Sequence, residues 1–132
     1  MGTVESRLER HLDSAPSSAS VARDAIASWL TGCDHDLRTD ARLAVSELVT
    51  NAFRYGRPPI TLVATRSTER LRIEVADGGD ASLRLRRPGP DGGWGLRIVN
   101  ELAANWGVGP DPGMVWCELR LDGYAPGTNG DA

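Results

Sequence analysis

A chain of 132 residues, 40% hydrophobic and 25% charged, has the size and balance of one compact globular domain with one core. Its formal net charge of −3 gives no electrostatic reason to expect direct nucleic-acid binding, because proteins that track phosphate backbones carry a basic excess. No apolar run approaches the roughly 20 residues needed to cross a bilayer, and the N-terminus lacks the basic-then-apolar order of a signal peptide, so a cytoplasmic protein with no membrane partner is expected.

Residues 1–14 are sparsely apolar, and Leu8 and Leu12 within SRLERHLDSAP fit a short edge strand ahead of a domain over 15–121. Ser17, Ser18 and Ser20 offer N-caps for a helix with Val21, Ala22, Ala25, Ile26, Trp29 and Leu30 on one face, stopped by Gly32. A second helix is predicted from Asp36 to Tyr55, with Leu37, Ala41, Ala44, Val45, Leu48 and Ala52 at helical spacing, ended by Gly56 and the Pro58-Pro59 pair. The segments ITLVATR from Ile60 and RLRIEVAD from Arg70 read as a hairpin turning at Ser67–Glu69. A polar loop with two prolines runs to Asp91, and a helix is predicted over about 94 to 105, with Leu96, Val99, Leu102, Ala103 and Trp106 inward. MVWCELRL gives a last strand, and the Gly-rich residues 122–132 read as a disordered tail. Strands and helices in this order predict an α+β two-layer sandwich, a mostly antiparallel sheet covered by helices on one face.

The two cysteines, Cys33 and Cys117, are far apart and outside any C-x-x-C spacing, so neither a zinc site nor a redox pair is indicated. All fifteen basic residues are arginine. Without lysine there is no Schiff-base chemistry and no P-loop lysine, so any nucleotide must be held in another way.

Three stretches can carry chemistry. In SELVTNAFRYG, Glu47 and Asn51 are four apart and share one side of the second helix, at the edge of its apolar arc. A carboxylate and a carboxamide there can orient a hydroxyl and a hard cation such as magnesium, or can simply bond a neighbouring loop. IEVADGG ends a strand at Asp77, whose carboxylate can accept a hydrogen bond from a base amino group, although D-G is also an ordinary turn signal. In DGGWGLRIV the glycines at 92, 93 and 95 run into a helix start, where unpaired N–H groups and the helix dipole suit phosphate. They serve equally as a hinge before an amphipathic helix. A dinucleotide fingerprint would need glycine where Ile98 stands.

Taken together and in this order, E-L-V-T-N-A, V-A-D-G-G and G-W-G-L-R-I-V resemble the N box and the two glycine boxes of the GHKL ATP-binding superfamily. The short chain and the ending W-G-V-G-P-D-P-G-M-V-W-C-E-L resemble its stand-alone anti-sigma-factor serine/threonine kinase type. The resemblance implies a Bergerat fold that binds ATP and Mg2+. It makes Asn51 the magnesium ligand, Glu47 the catalytic acid that positions or deprotonates the attacking hydroxyl, and Asp77 the reader of adenine with Gly79 beside the ring. Gly93, Gly95 and Leu96 would lie at the phosphates, below a lid over Asp80–Gly92. It further implies a sigma factor and an anti-anti-sigma-type protein as partners, and allows a homodimer. Two positions depart from the pattern: Ala81 replaces a glycine of the first box, and Met114 stands where the family often has a threonine whose hydroxyl helps bind adenine.

A second reading, a nucleotide-gated protein-binding module without catalysis, uses the same pocket. The catalytic domain of a histidine kinase is disfavoured, because no dimerisation helix with a phosphoacceptor histidine is expected ahead of the domain, and His11 and His35 read as surface residues.

Overall fold

A computed structural model describes residues 5–13, 17–78, 94–109 and 113–124, and for Trp94, Gly95 and Leu96 the backbone alone. Five strands, β1 (Ser6–Leu12), β2 (Ile60–Arg66), β3 (Arg70–Ala76), β4 (Asn105–Val108) and β5 (Met114–Arg120), form one sheet in the order β1-β2-β3-β5-β4. Every neighbouring pair is antiparallel. Among the described residues, three helices, α1 (Ser18–Trp29), α2 (His35–Tyr55) and α3 (Trp94–Leu102), complete the expected two-layer α+β sandwich.

Period-2 alternation decides which face of the sheet the helices cover. Ile60, Leu62 and Ala64 of β2, Leu71, Ile73 and Val75 of β3, and Val115, Cys117 and Leu119 of β5 are all buried in one core. The helices meet it with stripes at 3.6-residue spacing. From α1 and its cap come Ala22, Ile26 and Leu30, and from α2 come all six positions predicted from the sequence, Leu37, Ala41, Ala44, Val45, Leu48 and Ala52. Val21, expected on the inner face of α1, is 52% exposed instead.

Local chemistry sets the boundaries. Asp34 caps α2, its carboxylate accepting from the N–H groups of Asp36 and Leu37, so the helix begins at His35. Ser17 stands at the N-cap of α1 but makes no side-chain cap bond, while Ser18 donates its hydroxyl back to the carbonyl of Asp13. In the β2–β3 turn the Ser67 hydroxyl accepts from the N–H groups of Glu69 and Arg70, which pins the hairpin register. The edge strand expected at Leu8 and Leu12 is β1, fully paired with β2, and the Trp29 indole donates to the Ser6 hydroxyl at 2.8 Å to tie α1 to it.

The sheet face away from the helices is kept compatible with water by a charged and aromatic cluster. The Arg72 guanidinium lies 4.3 Å from the Trp116 ring centroid and donates to Glu74 at 2.7 Å and to Glu118 at 3.1 Å. The indole lies against Gly107 of β4, where an added Cβ would come within 3.1 Å of the ring.

The helix predicted to 105 stops at Leu102, and Asn105–Val108 forms β4. Leu96, Val99, Leu102, Ala103 and Trp106 do follow a helical period. Pairing with β5 overrides it: the N–H of Ala104 donates to the carbonyl of Glu118, and the Trp106 indole donates sideways to Asn100 at 2.8 Å. The C-terminal segment is fixed further than expected. Leu121–Gly123 form a 3-10 turn and the Tyr124 hydroxyl donates to Asp40 of α2 at 2.7 Å, while 125–132 lie outside the described residues. Among the described residues no helix is long and apolar enough to cross a membrane.

Both cysteines are free thiols, Cys33 half-buried and Cys117 buried. Burial pushes the Cys117 thiol up from 9.0 to about 12. The stabilisation from keeping this thiol neutral is therefore complete below pH 9 and is lost as pH rises from 9 towards 12. A disulfide reagent at pH 8 should label Cys33 first and reach Cys117 only on denaturation; equal native labelling of both would contradict this packing. Tyr124→Phe should lower the unfolding free energy by about 1 kcal/mol in a urea titration, through loss of the bond to Asp40.

Candidate functional site

Among the described residues the buried polar side chains are Ser18, Asn51 and Asp77. Ser18 is accounted for by its bond to Asp13. The other two are residues singled out from the sequence. Asn51 is 9% exposed on the last turns of α2, and Glu47, one turn earlier, is half-buried, so the pair sits at the boundary of the apolar stripe as its spacing predicts.

Asp77, also 9% exposed, follows the last residue of β3. Three chain segments converge on it. Its N–H donates to the carbonyl of Gly113 at the start of β5, at 2.9 Å, and the next N–H, of Gly78, donates to Arg57 in the α2–β2 loop at 2.8 Å. Glycine is required around this carboxylate for reasons of space. A Cβ on Gly56, the C-cap of α2, would overlap the Asp77 carboxylate. One on Gly113 would come within 3.1 Å of Asp77 Oδ1, and with φ at +79° the backbone there already favours glycine. One on Gly78 would come within 2.9 Å of Pro59 Cδ and 3.0 Å of the Pro58 carbonyl oxygen, so this glycine serves the packing of the proline loop.

Gly56 and Gly113 escaped sequence reasoning. A glycine after a helix is read as a left-handed stop, yet Gly56 has φ −110° and ψ −161°, extended backbone open to any residue. Met114, at the position compared with the family threonine, pairs with Ala76 on the side of β5 opposite buried Val115. The residue against the Asp77 carboxylate is its neighbour Gly113.

Of the residues expected at the phosphates, Gly95 and Leu96 fall in the first turn of α3, which packs along α2 and buries Val99. Gly79, Gly93, Ala81 and the whole Asp80–Gly92 loop lie outside the described residues. Among the described residues no group of three or more His, Cys, Asp or Glu side chains is arranged to hold a metal ion.

A five-stranded antiparallel sheet backed by helices, with a buried carboxamide on the long helix and a buried carboxylate at a strand end, has the architecture of a GHKL ATPase module. The pattern described as the histidine kinase-like ATPase domain matches residues 12–117, and the chain belongs to that family. Among solved structures, the RsbU and RsbW domains of Rv1364c from Mycobacterium tuberculosis match with a TM-score of 0.64 at 24% identity, over 87% of this chain and 32% of that one. The likeness is one of fold, and this chain spans about a third of the length of that structure. No curated protein sequence matches the chain.

Gly78→Ala should destabilise the fold by roughly 1–3 kcal/mol in a urea denaturation, because the added carbon would crowd the Pro59 ring and the Pro58 carbonyl. Gly123→Ala, with no heavy atom within 4 Å of the added carbon, should stay within about 0.5 kcal/mol of wild type in the same denaturation assay.

Proposed function

We propose that this chain is an ATP-binding regulator that transfers the γ-phosphoryl group to a serine or threonine of an anti-anti-sigma-type partner and binds a sigma factor. One observation carries the reading: apart from Ser18, the buried polar side chains of the described residues are Asn51 and Asp77, the two positions that the family motifs assign to metal and base. Burying a carboxylate and a carboxamide is costly in a small core, so their retention argues for a ligand-facing role. The match to the ATPase domain, and a fold shared with a structure that includes an RsbW domain, support the class of protein.

In this reading the Asp77 carboxylate accepts a hydrogen bond from the exocyclic amino group of adenine, with Gly79 against the ring. Asn51 gives its carboxamide oxygen to magnesium, and Glu47, one turn away, orients and deprotonates the attacking hydroxyl. One protein oxygen would be enough to place magnesium, an ion that dehydrates reluctantly and binds largely through substrate phosphates and water. When bound, the ion neutralises charge on the transferring phosphoryl group. The N-terminal turn of α3, with Gly93, Gly95 and Leu96, offers backbone N–H groups to the phosphates.

A nucleotide-gated binding module without catalysis is the second reading. It is favoured by one feature, Met114 at the position where the family often has a threonine whose hydroxyl helps bind adenine.

Titration calorimetry should detect saturable Mg-ATP binding, weakened about tenfold or more by Asn51→Ala and by Asp77→Ala. No heat at millimolar nucleotide would remove both readings. With labelled ATP and anti-anti-sigma-type proteins as acceptors, transfer that depends on Glu47 supports the kinase; binding without transfer supports the gated module.

A further inference from the structure

We infer that Gly56 is a positioning residue for Asp77, and through it sets base selectivity; the inference rests on Asp77 reading the base. The backbone at Gly56 is extended, at φ −110° and ψ −161°, and its N–H donates to the Ala52 carbonyl at 2.8 Å as the last bond of α2. Nothing in that conformation excludes a side chain. What excludes one is contact: an added Cβ would overlap Oδ2 and Cγ of Asp77 and lie 2.7 Å from the Ala52 carbonyl oxygen.

The other carboxylate oxygen has a similar neighbour, since a Cβ on Gly113 would lie 3.1 Å from Oδ1. The carboxylate of Asp77 thus stands in a slot with backbone on both sides, one wall from the end of α2 and one from the start of β5. A group held on two sides keeps one orientation, and that orientation decides which base edge it meets. An amino group on the base is bound; a carbonyl oxygen at the same place, as in guanine, is repelled. Gly56 therefore supports discrimination between adenine and guanine nucleotides without touching either.

The test is a double-mutant cycle read by nucleotide affinity and by melting temperature, on Gly56→Ala, Asp77→Ala and both together. Gly56→Ala should weaken ATP binding roughly tenfold and narrow the ATP/GTP ratio towards that of Asp77→Ala, while adding little in the Asp77→Ala background. A folded Gly56→Ala protein with an unchanged ATP/GTP ratio would overturn the inference, as would equal losses for the two nucleotides. If Gly56→Ala does not fold, adding Asp77→Ala should restore folding by removing the overlapped carboxylate, leaving the smaller conflict with Ala52. A double variant that stays unfolded also overturns it. Wild-type protein with no preference for ATP over GTP would sink the base-reading role of Asp77 itself; preserved preference with no 56–77 coupling sinks the role of Gly56 alone.

Discussion

The junction between the end of α2 and the end of β3 is the contact on which the candidate site depends. Helix α2 buries its apolar stripe on the sheet, and it must stop where the carboxylate of Asp77 begins. The stop is made by a residue without a side chain, so helix and strand come within backbone distance of each other. That closeness puts the carboxamide of Asn51 and the carboxylate of Asp77 on adjoining segments. It also makes room for the Arg57–Pro59 loop, whose Arg57 carbonyl takes the N–H of Gly78.

The rest of the molecule supplies the rigidity this junction needs. Strands β2, β3 and β5 present Leu62, Ile73 and Cys117 to the core, all fully buried, and close packing of that kind transmits small displacements instead of absorbing them. The far face of the sheet is organised separately, around the stack of Arg72 on Trp116 and its two carboxylates. Burial alone would depress the charge on Arg72, yet the hydrogen bonds it donates to Glu74 and Glu118 outweigh it and hold the guanidinium more firmly protonated than usual.

Much of this was legible in the sequence, because burial and periodicity are coupled. The stripe of α2 and the alternation of β2, β3 and β5 are each written in where apolar residues recur, and Asn51 and Glu47 stand at the edge of a stripe that can be drawn from spacing alone. Strand β4 was illegible for a physical reason. Four residues with Trp106 in helical phase with Val99 carry too little local preference, and only the hydrogen bonds to β5 decide their state. Val21 failed similarly: the angular arc admits it, but the apolar residues that α1 and its cap bury fully in the core are Ala22, Ile26 and Leu30. The slot around Asp77 left no mark in the periodicity, because Gly56 and Gly113 lie far apart in the chain and meet only once the fold has formed.

The bond from Tyr124 to Asp40 places the end of the described chain on the helix that carries Glu47 and Asn51. From Asp40 to Asn51 is eleven residues, about 16 Å of continuous helix. A helix of that length, clamped along one side by the core, behaves as a stiff rod. One member thus carries the attachment of the last described segment and two residues of the candidate site. A shift of that rod along its axis would move Asn51 and Glu47 together, keeping the spacing between them while changing where both stand against Asp77.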